Sequence, residues 1–478
     1  MRPATSPTSS ARRPLRSDPP LNETRWGGPW LALAALLAGA AAIRLAGVRY
    51  GLPFPLLDPD EENIVPRAWQ MSHGGGLDPG WFGSPTLLMY VLAPSQAWSD
   101  EPSYLIARLV IVPLAVAGIA AAWWLGGRAY GLLAGFVAAA LTAVATVHVE
   151  YSRMAVTDVP LTLGVAGSLA LLVRRQLIPA GIAIGLTAGF KYAGFVLLVP
   201  LLVAGWGDWR RLTVAAALVP AAFLAASPYF AVHLGDAVDD IRHALGGARR
   251  GALGFEHDTW TPVAFLDGLW ESIGPALLIA LAGLVLALLY RSLADRVLAA
   301  FVLAYFAALV PLDAHFDRYL LPLMPALGAL AGRLRSLAPV TLLLLVIPLV
   351  WSIRETRPLV RTDTRVAAHD WMDQNLTPGV LVAADPGTAA PDDVRVLRFA
   401  RPGPGRKADA RRNLARLREL KVGYVLVTGA VADPVLAERG RYPAESRFYD
   451  QLDRDGNRRF YRQGVGKLAG PWVAVYEL

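Results

Sequence analysis

The sequence predicts an α-helical polytopic membrane protein, about eleven transmembrane helices by block length, followed by a soluble α/β domain at the C-terminus. Three observations predict it. Hydrophobic residues make up 54% of the 478-residue chain and charged residues only 18%, where a soluble domain carries about 25%. The mean hydropathy is +0.40, and the apolar residues gather in blocks approaching the ~20 residues a bilayer-crossing helix needs. From about residue 360 those blocks give way to short β-type runs between polar turns. A secreted globule, a coiled coil and a disordered scaffold are excluded.

Residues 1–26 are rich in Ser, Pro and Arg and read as a disordered cytoplasmic tail. The first apolar block, from about Trp30 to Ala46, lacks the short core and small-residue cleavage site of a signal peptide, so it reads as a retained helix. Further blocks follow at 104–125, 131–147, 159–173, 178–190, 193–206, 212–230, 272–290, 297–312, 318–332 and 337–353. Two short blocks flank Phe190 and Lys191 and read as half-helices meeting within the membrane. Such a break is tolerated only where protein covers the backbone or where it lines a cavity. The transmembrane domain therefore spans 27–355.

Arginines set the orientation. Arg12, Arg13, Arg16 and Arg25, then Arg128, Arg174, Arg175, Arg210, Arg211, Arg291, Arg296, Arg333 and Arg335 fall in alternate connections. With a cytoplasmic tail these are all cytoplasmic, as the positive-inside bias requires. The opposite face then receives the loops 47–103, 148–158, 231–271 and 313–317, together with the soluble domain over 360–478. The net charge of +8 follows from the same bias and is no argument for nucleic acid. The absence of cysteine excludes disulfides, thiolate metal sites and cysteine nucleophiles. In the soluble domain, runs beginning at Val380, Val394, Tyr424 and Trp472 read as strands, and Ala408 to Leu420 as a helix.

The residues able to carry chemistry all fall on the outer face. Asp58-Pro-Asp60-Glu61-Glu62 offers either a proton-accepting base or a cation site, or else a solvated acidic loop at a helix start. Arg153 and Asp158 stand beside an apolar helix start, where ionisable groups are expensive unless paired or used; Asp158 also suits a helix cap. Lys191 is the only lysine before residue 400, and its cost at a helix break calls for an anion, unless it snorkels to the interface. Asp317-Arg318-Tyr319 suits an anion clamp or an interfacial cluster. Asp58, Asp60, Glu61, Asp158 and His315 are the candidates for a divalent metal, and the sequence assigns none. Carboxylates beside three cations, with apolar walls, suit a lipid phosphate whose tail lies between helices.

In order and spacing, Pro59-Asp60-Glu61, Ser84-Pro-Thr-Leu-Leu-Met-Tyr90, Ser152-Arg153-Met-Ala-Val-Thr-Asp158, Gly185-Leu-Thr-Ala-Gly-Phe-Lys191 and Asp317-Arg318-Tyr319-Leu-Leu-Pro-Leu-Met-Pro325 cover most of residues 50–330. This set resembles the GT-C glycosyltransferases, in particular the protein O-mannosyltransferase and lipid A aminoarabinose transferase family. The lack of cysteine and the excess of arginine over lysine suggest a bacterium with a GC-rich genome, and hence a multi-pass protein of the bacterial cytoplasmic membrane. The resemblance implies a polyprenyl-phosphate-linked sugar as donor, and an extracytoplasmic lipid, glycan or protein as acceptor. It further implies Asp60 as general base with Glu61 beside it, Asp158 as a second acid, and Arg153, Lys191, Arg318 and Tyr319 around the donor phosphate. Asp58 competes with Asp60 for the role of base. The alternative reading is a transporter or flippase of a lipid-linked or anionic substrate, centred on the Lys191 break.

Overall fold

The computed structural model describes residues 27–256 and 260–478; the tail expected over 1–26 lies outside them. The helices run in order α1 (Gly27–Leu45), α2 (Asp60–Ser72), α3 (Leu87–Gln96), α4 (Tyr104–Tyr130), α5 (Leu132–Val144), α6 (Thr146–Tyr151), α7 (Asp158–Leu172) and α8 (Leu177–Phe190). A 3-10 turn over Tyr192–Leu197 leads to α9 (Leu198–Gly205), α10 (Trp209–Ala226), α11 (Tyr229–Val232) and α12 (Leu234–Arg250). Then come α13 (Thr261–Ile273), α14 (Ala276–Tyr290), α15 (Leu293–Leu309), a second 3-10 turn (Asp317–Leu323), α16 (Met324–Arg333), α17 (Ala338–Leu344) and α18 (Val346–Thr356). Every apolar block of the sequence carries a helix. Four of the described stretches are long and apolar enough to cross a membrane: Gly28–Leu45, α4, α10 and Arg335–Val360. A fifth arises if α13 and α14, bent by 118°, count as one span. The other apolar helices are shorter.

Local chemistry explains where the helices begin, end and pack. The Ser103 hydroxyl accepts from the Ile106 N–H and caps α4, and a reciprocal Ser292–Asp295 capping box opens α15. Helix α8 lies tightly on α10 because Gly181 and Gly185 have no side chain. A Cβ at either would sit 2.3 Å from the Ala215 or Val219 carbonyl oxygen. Small residues permit such close approach inside a membrane bundle. The sharp turn from α13 into α14 is made at Gly274, with φ +57°, and Pro275. Helix α13 is apolar on two sides. Phe265, Leu269 and Ile273 are buried, whereas Val263, Leu266 and Trp270 are exposed. An element lying along the edge of a bilayer has this character.

The break at Lys191 is a true interruption of the helix. Its backbone is extended (φ −154°, ψ 135°) between α8 and the 3-10 turn. Neither flanking piece is long enough alone, since α8 has 14 residues and rises only about 1.5 Å per residue.

The C-terminal domain begins with β1 (Thr362–Asp363) and α19 (Thr364–Asn375), then β2 (Leu381–Ala384), β3 (Arg395–Arg398), α20 (Leu414–Glu419), β4 (Tyr424–Thr428), α21 (Gly429–Ala437), α22 (Pro443–Asp455), β5 (Asn457–Arg462), β6 (Leu468–Ala469) and β7 (Val473–Glu477). The main sheet has the order β3-β2-β4-β7-β5, with β2, β3 and β4 parallel and β7 antiparallel to β4 and β5. Strand alternation divides the core. Val382, Ala384, Val473 and Val475 face Ala368 and Met372 of α19. Ala383, Val425, Val427 and Ala474 face Leu417, Val435, Phe448 and Leu452 on the other side. The four strands expected from the sequence are present. The helix expected over 408–420 is shorter, because Asn413 caps it late by accepting from the Arg416 N–H.

The two domains touch through the loops that precede α2 and follow α12. The Arg365 guanidinium donates to the Leu56 carbonyl at 3.0 Å while pairing with Asp363. The Tyr442 hydroxyl donates to Glu256 at 2.5 Å.

Candidate functional site

Three segments far apart in the chain converge on one cluster. Helix α2 starts just after Asp58-Pro59, and the Asp58 carboxylate accepts from the Asp60 N–H at 2.8 Å, fixing both acids at the helix entrance. Arg318, at the head of the second 3-10 turn, reaches across and donates through Nη1 to Asp58 at 3.0 Å and to Asp60 at 2.8 Å. The third segment brings Asp158, the first residue of α7, and Lys191, which are joined at 2.5 Å.

The halves of the cluster are continuous. The Lys191 ammonium lies 5.2 Å from the centre of the Tyr319 ring, and the Arg318 guanidinium lies 5.2 Å from that of Phe316. Asp158 also acts electrostatically on Asp58. The Tyr151 hydroxyl and the Arg318 N–H both donate to Asp317, each at 2.8 Å, and so fix the turn that presents Arg318.

Exposure separates the two acids of α2. Asp58 is buried, whereas Asp60 keeps 36% of its side-chain surface open. Burial pushes the Asp58 carboxyl up to about 6, against the pull of Arg318 and with a further push from Asp60. Asp158 is almost wholly buried, and its second carboxylate oxygen has no hydrogen-bond partner among the described residues. The cluster thus contains two cations, three carboxylates and one unsatisfied buried acceptor.

Other residues singled out in the sequence lie outside this cluster. Glu61 is fully buried and chelated by Arg108 at 2.8 and 2.6 Å, and it also accepts from the Ala155 N–H at 2.8 Å. That leaves Glu61 fastening α2 to α4 and to the 152–157 turn. Arg153 turns the other way, donating to the Ile43 carbonyl at 2.9 Å and to Thr356. His315 contacts Thr261 at 3.1 Å and packs against the Phe255 and Phe265 rings. Among the described residues no group of three or more His, Cys, Asp or Glu side chains is arranged to hold a metal. Asp58 and Asp60 pair with Arg318, Glu61 with Arg108 and Asp158 with Lys191.

Sequence reasoning passed over two buried arginines. Arg108 is one. The other is Arg44 of α1, fully buried and bonded to Ser152 at 3.1 Å and His148 at 2.8 Å. A signal was available, since each is a cation inside an apolar block, where ionisable residues are functional or paired by default. Tyr151 and Glu150 were also missed.

No family model matches the chain, and no curated protein sequence matches it. Solved structures do. The chain is similar to ArnT from Cupriavidus metallidurans in the apo state, at 16% identity and TM-score 0.57, covering 94% of this chain and 97% of that one. It is equally similar, at TM-score 0.57 and 15% identity, to the same protein bound to undecaprenyl phosphate, over 94% of this chain and 98% of that one. It is also similar to the oligosaccharyltransferase AglB from Archaeoglobus fulgidus in complex with an inhibitory peptide and a dolichol-phosphate, at TM-score 0.59 and 15% identity, over 92% of this chain and 73% of that one. These are GT-C proteins, and the chain shares their fold.

Proposed function

We propose, with the GT-C fold as premise, that the protein is an integral membrane glycosyltransferase that moves a sugar from a polyprenyl-phosphate donor to an acceptor outside the cytoplasm. The observation that carries this reading is the single Arg318 Nη1 shared by Asp58 and Asp60, with the Lys191–Asp158 pair beside it. Phosphate-binding cations and a carboxylate able to activate a hydroxyl are thereby adjacent. The structures of ArnT bound to undecaprenyl phosphate and AglB bound to a dolichol-phosphate support the donor class.

In this reading Asp60, the more open acid, takes the proton from the acceptor hydroxyl. The hydroxyl oxygen then bonds to the anomeric carbon from the face opposite the phosphate, and the bond from that carbon to the phosphate oxygen breaks. The configuration inverts, and the polyprenyl phosphate leaves with the electron pair. Arg318 and Lys191 stabilise the departing charge. Tyr319 covers Lys191, and Asp158 holds the ammonium until the phosphate arrives. Asp58 fixes Arg318 and the N-terminus of α2. Glu61 and Arg153 act as positioning residues. The short apolar helices complete about eleven crossings, which sets the sheet domain outside the bacterial cytoplasmic membrane.

The test is transfer from a panel of polyprenyl-phosphate sugars in proteoliposomes. Asp60→Asn is expected to abolish turnover while keeping donor binding, and Lys191→Ala to weaken donor binding. If no donor is turned over while the wild type moves a lipid-linked sugar across the bilayer, the protein is a transporter.

A further inference from the structure

On the other side of Asp317 from the Arg318 cluster lies a cavity of about 590 Å³ between α6, α13 and α18, lined by Glu150, Glu271, Asp317, Glu355, Trp270 and Trp351. A second cavity of about 520 Å³ adjoins it, sharing Gly268, Glu271 and Asp317 and adding Asp267. Together they form a groove that leads from the exposed Trp270 to the residue preceding Arg318.

Its charge is one-sided. Among the described residues the side chains of Glu150, Glu271 and Glu355 have no hydrogen bond and no ion pair. Yet Glu150 is only partly exposed and its carboxyl end is enclosed. Asp317 is satisfied by Tyr151 and by the Arg318 N–H. The nearest cation is Arg153, which donates to the Ile43 carbonyl and Thr356, lines a small adjoining cavity with Glu150 and Glu355 and acts electrostatically on both. These carboxylates outnumber that one cation, and burial together with Asp317 and Glu355, against the pull of Arg153, pushes Glu150 up to about 8. A further cation among them offsets that excess, and the two indole walls favour the same charge.

We infer that this groove receives an ammonium group carried by the acceptor, whose hydroxyl it delivers to Asp60. The inference rests on the transferase reading for the word acceptor. The acidic lining of the groove repels the donor phosphate.

The experiment is calorimetric binding of two sugar probes to the full-length protein in lipid nanodiscs. Octyl 2-amino-2-deoxyglucoside carries the ammonium; octyl glucoside is its neutral counterpart. The wild type is expected to bind the charged probe about tenfold more tightly. Glu271→Gln and Glu355→Gln, singly and together, are expected to erase that preference and leave neutral-probe binding unchanged. Lys191→Ala is expected to keep it. Equal binding of both probes by the wild type, or a preference that survives both glutamines, overturns the proposal. Displacement of the charged probe by a polyprenyl-phosphate hexosamine but not by polyprenyl phosphate also overturns it, by assigning the cation to the donor sugar. Because binding is read without turnover, failure of the transferase reading shows separately, as an absence of transfer with the ammonium preference intact.

Discussion

The Arg365 guanidinium donates to the Leu56 carbonyl, two residues before Asp58, while its Nε and Nη2 also grip the fully buried carboxylate of Asp363. The sheet domain therefore holds the loop that carries the acids of the site. Arg365→Met leaves Asp363 buried and unpaired, which costs about 3–5 kcal/mol, and frees the loop. The expected outcome is faster hydrogen exchange across residues 47–59 and a fall in kcat of up to about 10²-fold, the scale of a misplaced reacting group. Unchanged exchange in that loop contradicts the fastening role.

The pH response follows from Asp58. Its carboxyl is raised to about 6, chiefly by burial, so it takes up a proton as the pH falls through 6, and Arg318 then loses one of its two anions. Activity is expected to be full above that value and to decline below it. Asp58→Asn removes this titration, so the acid limb near 6 is expected to disappear from the variant. A kcat/KM profile between about pH 4 and 8 reads the difference; an acid limb near 6 that persists in the variant assigns the titration elsewhere.

The Glu61–Arg108 pair is fully enclosed, with both side chains at 0% exposure. Breaking it from one side with Glu61→Ala strands the guanidinium and is expected to lower stability by about 3–5 kcal/mol. The double change Glu61→Leu with Arg108→Met is expected to regain most of it, since apolar replacements of buried pairs are often neutral. Thermal unfolding in detergent measures both. Asp60→Asn, at an open position, is expected to leave the unfolding temperature near that of the wild type.

Lys191 and Asp158 are coupled in the same way, but one partner is expected to meet a ligand. Lys191→Ala leaves both Asp158 oxygens without a partner, so it is expected to weaken donor binding and destabilise the fold together. Adding Asp158→Asn restores the stability and not the binding. Donor affinity and unfolding temperature measured on the same two variants separate these effects; recovery of both properties rules out a phosphate role for Lys191.

Much of the fold was legible because its signals are periodic or compositional. The helical blocks, the interruption at Lys191 and four strands of the soluble domain follow from apolar runs and alternation. The helices between the apolar blocks were not legible as a whole. Helix α12 buries only Ala237, and α13 is divided from α14 by Gly274-Pro275, so neither offers one clean apolar face. The pairing within the site was also hidden. Asp58, Asp60 and Glu61 are equivalent as letters, yet the helical turn beginning at Asp60 sends Glu61 inward to Arg108 and leaves Asp60 toward Arg318. Helix phase at α2 decides between them, and a one-residue shift in its start would exchange their roles.

Arg318 stands 258 residues after Asp60, and that separation governs when the protein becomes competent as it is made. Synthesis delivers the acids first, and they remain without their guanidinium until the chain has been made as far as the second 3-10 turn. A product truncated at any earlier point carries the acids alone and cannot assemble the cluster. The sheet domain follows Arg318 in the chain, so Arg365 secures the acidic loop only after that cation has been made.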